Sequence, residues 1–203
     1  MFPFPFSYIS TSDTGLAQVD NVYSMEFDGV SSSISIPEYI MPSESTVSFW
    51  VKSSLASPQD VIISGASGHY YPYLLLSGGN IRLIIKSGVS SRELITDVPW
   101  VADTWFHIAI TGTGGEVSGS VATYYVNGVN KGTSVNRTPT LTTIGTYTNA
   151  TLNWNGHIDE VAFWSVVLTD AEILSIYNAT TTGKTADLNS LTTPPTRWYR
   201  MGD

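Results

Sequence analysis

At 203 residues the chain suits a single domain, and 42% hydrophobic residues can fill a real core, which excludes global disorder. Nine basic against 17 acidic residues give a net charge of −8, which argues against nucleic-acid backbones and anionic membrane surfaces as partners. With no cysteine, disulfides and Cys–metal sites are excluded as well.

Residues 1–21 read as an N-terminal arm. Phe2, Phe4, Phe6 and Tyr8 alternate like a strand, and Pro3 and Pro5 remove two backbone donors. Such a segment cannot lie inside a sheet, but it can lie along an edge or in a groove with its rings buried. The first six residues lack a basic n-region, and their prolines break an h-region helix, so no Sec export signal is expected. No apolar run approaches the roughly 18 residues needed to span a bilayer, so membrane insertion is not expected.

Strands are predicted from here on by alternation and turn residues. Residues 22–27 end at the turn pair Asp28-Gly29, and 33–36 stop at Pro37. In 46–52, Val47, Phe49 and Val51 oppose Thr46, Ser48, Trp50 and Lys52. Residues 61–63 and 73–76 are apolar runs suited to inner strands, with a polar-aromatic loop expected over 64–72. Ser77, Gly78, Gly79 and Asn80 predict a hairpin into 81–86, where Arg82 and Lys86 share a face with Ile84. Residues 92–96, 104–111 and 119–126 follow. Asn127-Gly128 is the strongest short-range turn signal, because both residues tolerate positive φ. Residues 141–145 and 156–164 complete the sheets, and 197–200 read as a last strand behind a linker at 191–195.

Residues 156–164 (Gly-His-Ile-Asp-Glu-Val-Ala-Phe-Trp) run into a helix start. Strict alternation puts Ile158, Glu160, Ala162 and Trp164 on one face and Asp159, Val161 and Phe163 on the other. Thr169 with Glu172 is a capping box, followed by the apolar stripe Ile173, Leu174 and Tyr177. Together with Phe27-Asp28-Gly29, the strand at 46–51, the Trp105–Ile110 run and Tyr124 to Gly128, this order of pieces resembles the laminin G-like, concanavalin A-like lectin/glucanase superfamily over roughly residues 22–178. The expected fold is an all-β, two-sheet antiparallel jelly-roll sandwich with one short helix near the C-terminus. Phe27, Phe49, Trp105, Ile158 and Tyr177 are expected to be mostly buried. The expected division is an arm at 1–21, the sandwich at 22–178 and a tail at 179–203.

Hydrolysis is tested first, because the resemblance extends to glucanases. A retaining glycosidase needs two carboxyl groups about 5–5.5 Å apart, and the glucanase members carry a Glu-x-Asp-x-x-Glu cluster on one strand. That cluster is absent; Asp159 and Glu160 are adjacent and are expected to face opposite ways. No catalysis is expected. The histidines His69, His107 and His157 lack metal-ligand spacing. The resemblance implies oxygen ligands for a calcium ion near the terminal strands, at positions matching Asp28 and Asp159. The competing reading has Asp28 closing its own turn and Asp159 bonding amides; no cofactor is expected beyond that possible calcium. For glycans, which bind to exposed rings and hydrogen-bonding side chains, the candidates are Tyr70 and Tyr71 in the 64–72 loop, with Asn80 and Trp154 behind them.

Two functions stand side by side. One is a non-enzymatic structural, decoration or fibre-associated subunit of a virus particle, at the virion surface. Phe2, Phe4, Phe6, Tyr8 and the tail would contact neighbouring subunits, with surface glycans as further partners. The long ends and the missing export signal motivate it, and the closing Trp198 to Asp203 is similar to tails of laminin G-like proteins of marine bacteriophages. The alternative is a carbohydrate-binding or adhesion module of a secreted or cell-surface protein, acting outside the cell.

Overall fold

The computed structural model describes residues 15–65, 69–88, 90–147 and 152–202, and only the backbone of Tyr70. Phe2, Phe4, Phe6 and Tyr8 lie outside the described residues. In chain order the strands begin with β1 (Gln18–Asp20), β2 (Met25–Asp28), β3 (Ile34–Ile40), β4 (Ser45–Lys52), β5 (Asp60–Val61) and β6 (Ile63–Ser64). Next come β7 (Tyr70–Ser77), β8 (Asn80–Ser87), β9 (Ser90–Pro99), β10 (Phe106–Thr113) and β11 (Val121–Val126). Then follow β12 (Val129–Ser134), β13 (Thr140–Ile144), β14 (Asn155–Trp164), the helix α1 (Asp170–Ala179), β15 (Lys184–Ala186) and β16 (Arg197–Tyr199).

Fourteen strands form two seven-stranded antiparallel sheets, and β1 and β15 form a separate two-stranded ribbon. The first runs β12-β11-β10-β4-β14, and β2 and β16 share the far edge of β14. The second runs β3-β13-β6-β7-β8-β9, with β5 beside β7. The jelly-roll expectation is met. Between the sheets, Phe49, Val51, Ile108 and Phe163 of the first pack against Leu74, Ile81, Leu83 and Leu141 of the second. The outer face of the second sheet is left to solvent along β7 to β9. The outer face of the first carries a second apolar cluster, in which Trp164, Ile173, Ile176 and Leu188 gather under α1 and the tail. Phe27, Phe49, Trp105 and Ile158 are buried as expected; Tyr177 is half-buried, its ring stacked on Trp50 at 5.8 Å.

Three local departures have physical causes. β3 continues through Pro37 to Ile40 because it is an edge strand, and Pro37 falls within a register shift against β13, where no ladder donor is required. β7 begins at Tyr70, so residues 70–72 are strand rather than loop. In β14, Asp159 pairs with Trp50 and Ala162 with Ser48, so one extra residue is accommodated as a bulge with Glu160 at φ +52°. The bulge overturns the expected alternation. Ile158, Val161 and Phe163 face the core, while Asp159, Glu160, Ala162 and Trp164 face outward.

Helix α1 starts where the capping box predicts. Thr169 Oγ1 accepts from the Glu172 amide, and Glu172 accepts from the Thr169 amide at 2.8 Å. The buried stripe is Ile173 and Ile176, whereas Leu174 is 41% exposed. Thr169→Ala is expected to cost about 0.5–2 kcal/mol, read as a lowered Tm in thermal unfolding. Asn127 (φ +51°) and Gly128 (φ +75°) make the tight β11–β12 turn, and a side chain at Gly128 would meet Leu174 and Tyr177 at 3.0 Å.

Candidate functional site

The structure disperses the four residues predicted to bind glycan. Tyr71 is fully buried in the core, and that burial, beside Tyr124, holds its phenol well above the usual range. Trp154 is fully buried too, its Nε1 donating to the His157 carbonyl at 3.2 Å. Tyr70 and Asn80 belong to opposite ends of the β7–β8 hairpin, since Tyr70 pairs with Lys86 and Asn80 with Ser77. Their separation along the strand is roughly 23 Å. The register shift between Tyr70 and Tyr73 is the reason: it turns Tyr71 inward and Tyr73 outward.

What β7 to β9 present to solvent instead is a small ordered platform. Tyr73, Ile84 and Glu93 form one row across three strands; Leu75, Arg82 and Ile95 form the next. Arg82 reaches diagonally to Glu93, with Nε at 3.1 Å from Oε2 and Nη2 on the same oxygen. The pair lies over Ile84, which is buried, while Ile95 is 50% exposed. Two of the five guanidinium N–H donors serve Glu93, which leaves others for a ligand. Asp60, half-buried near Tyr73, accepts the Gln59 and Asn155 amides, but burial dominates and pushes its carboxyl up to about 6. A half-buried ring, a forked cation, a carboxylate and aliphatic floor residues are the groups that grip sugar rings and hydroxyls. Alternation over 81–86 already placed Arg82 outward; Tyr73 and Glu93 were missed because the β7 shift and the β8–β9 register are long-range facts.

The calcium ligands implied by the resemblance are separated as well. Asp28 pairs with Asn155, four residues before Asp159 on β14, or roughly 13 Å along the strand. Calcium ligands lie at about 2.3–2.6 Å, so the two cannot share an ion. Asp28 Oδ1 accepts the amides of Val30, Ser31 and Ser32 at 2.8–2.9 Å, which holds its carboxyl far below the usual range. Among the described residues no group of three or more His, Asp or Glu is placed to hold a metal. His69 accepts the Thr140 amide at 3.1 Å, and His157 meets the Ser24 hydroxyl at 3.1 Å. His107 meets Ser48 Oγ at 2.7 Å, and burial pushes its pKa down to about 3.

Asp159 and Glu160 lie side by side on the outer face of the first sheet, 2% and 4% exposed. Asn21 Nδ2 bridges them, at 3.1 Å from Asp159 Oδ2 and 2.7 Å from Glu160 Oε1. Glu160 also accepts from Thr185 Oγ1 at 2.9 Å and from Trp198 Nε1, with Arg200 Nε at 3.8 Å. Burial raises the Glu160 pKa, and these donors pull it back in part. The adjoining hollow, lined by Asn21, Trp50, Asp159 and Thr180, has about 10 Å³ of room, enough for a single water.

A jelly roll with one open sheet face and a C-terminal helix defines a lectin-like domain. The chain belongs to the concanavalin A-like lectin/glucanases superfamily, whose laminin G type 3 model matches residues 28–174. No curated protein sequence matches it. Among solved structures it is similar to the native heptameric SAP-like pentraxin of Limulus polyphemus, with TM-score 0.59 and 16% identity over 86% of this chain and 89% of that one. It is also similar to domain 4 of AbnA, an extracellular arabinanase of Geobacillus stearothermophilus solved with arabinotriose, with TM-score 0.60 and 21% identity over 80% and 81% of the two chains. The CBM40 of the Ruminococcus gnavus IT-sialidase, solved with α2,3-sialyllactose, gives TM-score 0.55 and 11% identity over 80% and 98%. These likenesses establish a fold shared with carbohydrate-binding modules and lectin-like domains.

Proposed function

We propose that this chain is a non-catalytic carbohydrate-binding module that holds glycan on the outer face of β7 to β9. The observation that carries this reading is the Tyr73, Arg82 and Glu93 platform, set among Leu75, Ile84 and Ile95 on the outer face of the sheet. Tyr73 would stack on the C–H face of a sugar ring, while Arg82 and Glu93 bond its hydroxyls. No turnover is expected, because Asp159 and Glu160 are buried and Glu160 is already bonded by Asn21, Thr185 and Trp198. Extracellular adhesion is the setting that suits such a module.

Membership of a virus particle is the reading that we set second to this one. Its connectors were to be the arm and tail. The described part of the arm, β1, pairs with β15 of the same chain, and β16 of the tail pairs with β14. Those segments pair within their own chain, whereas Phe2, Phe4, Phe6 and Tyr8 lie outside the described residues. Tyr73→Ala and Arg82→Ala are each expected to reduce binding in a glycan-array and calorimetric series by about tenfold or more, with Tm little changed. Retention of full affinity in both variants would move the site elsewhere.

A further inference from the structure

We infer that Asp159 and Glu160 form a metal-independent clasp for both ends of the described chain, in the place where the family resemblance puts a calcium ligand. A calcium ion needs six to eight oxygens aimed at one point. Here the surroundings present donors. Asn21 turns its Nδ2, not its Oδ1, toward both carboxylates, and the buried Oδ1 has no partner. Trp198 Nε1 can only donate, and Thr185 donates its hydroxyl proton to Glu160. Asp159 Oδ1 is taken by the Glu160 amide at 2.8 Å. Arg200 adds a positive charge at 3.8 Å, which a divalent ion would have to displace.

Three donors and one cation surround Glu160. Asn21 follows β1, Thr185 is in β15, Trp198 is in β16, and Arg200 lies just beyond it. One carboxylate thus pins the entry and exit segments of the chain to the outer face of the first sheet. The bulge makes this possible, since regular pairing would turn Glu160 into the core. β1 and β15 pair mainly with each other, through three residues each. Glu160 is therefore a principal anchor for that ribbon.

The test compares amide hydrogen exchange and Tm of the full chain in EDTA and in calcium chloride, for wild type and two variants. Wild type is expected to show the same Tm and the same exchange in both buffers. Glu160→Ala is expected to speed exchange in residues 15–21 and 184–200 by about tenfold or more while β7 to β9 keep their protection. Should that variant fail to fold, Trp198→Phe removes a single N–H and keeps the ring, and it is expected to loosen the same two segments. A Tm that falls in EDTA and recovers with calcium would overturn the inference, as would Trp198→Phe with unchanged exchange in both segments.

Discussion

Glu160→Ala is expected to lower stability by about 3–5 kcal/mol, a Tm loss on the order of 10 °C for a chain of this size. The raised pKa shows that burying this charge is itself unfavourable, so the loss does not come from forfeiting a good ion. It comes from what the deletion leaves behind. The Trp198 indole N–H and the Thr185 hydroxyl lose their acceptor, Asn21 Nδ2 keeps Asp159 alone, and Arg200 is left beside a void. Each buried donor without a partner costs roughly 1–3 kcal/mol. Glu93→Ala is the control. Its carboxylate is paired to Arg82 on the open face, with the side chain 47% exposed, and such pairs contribute at most about 1 kcal/mol. Thermal unfolding of the two variants side by side checks the contrast; similar losses would mean that Glu160 is not the anchor described.

The sandwich was legible in the sequence because its signals are local. Alternation in 46–52, the Asn127-Gly128 turn and the Thr169–Glu172 box each depend on a few neighbouring residues, and each reappears in the structure. The site was not legible, because it depends on two departures from alternation. The shift between Tyr70 and Tyr73 exchanges which tyrosine meets solvent, and the bulge at Glu160 puts two adjacent acids on one face. A strict period of two assigns both segments wrongly, since one extra residue moves every later side chain to the opposite face. Glu160 at positive φ is the backbone signature of that bulge, and nothing in the residues Ile-Asp-Glu-Val announces it. Nor does the short β15 strand, Lys184–Ala186, stand out in a Thr-rich tail, although it supplies Thr185 to the clasp.

Gly156→Ala is expected to be more damaging than most core truncations, at about 4 kcal/mol or more. Gly156, the second residue of β14, has φ +140°, a backbone conformation that L residues rarely adopt. A Cβ there would lie 2.2 Å from the Lys52 carbonyl oxygen and 2.8 Å from Ser53 Cα. Those are backbone atoms of β4 and its exit, so no side-chain rotation relieves the clash. Either β14 backs away from β4, or the residue leaves its conformation. Both moves disturb the segment where β14 pairs with β2 and β4 together, just before the bulge that carries the clasp. Gly79→Ala separates conformational strain from crowding. Gly79 has φ +86°, but nothing lies within 4 Å of its would-be Cβ, so its cost is the left-handed penalty alone, about 1–2 kcal/mol. Denaturant unfolding of both variants measures the difference, and equal losses would show that β4 yields at Lys52 and that Gly156 is not what lets the two central strands approach.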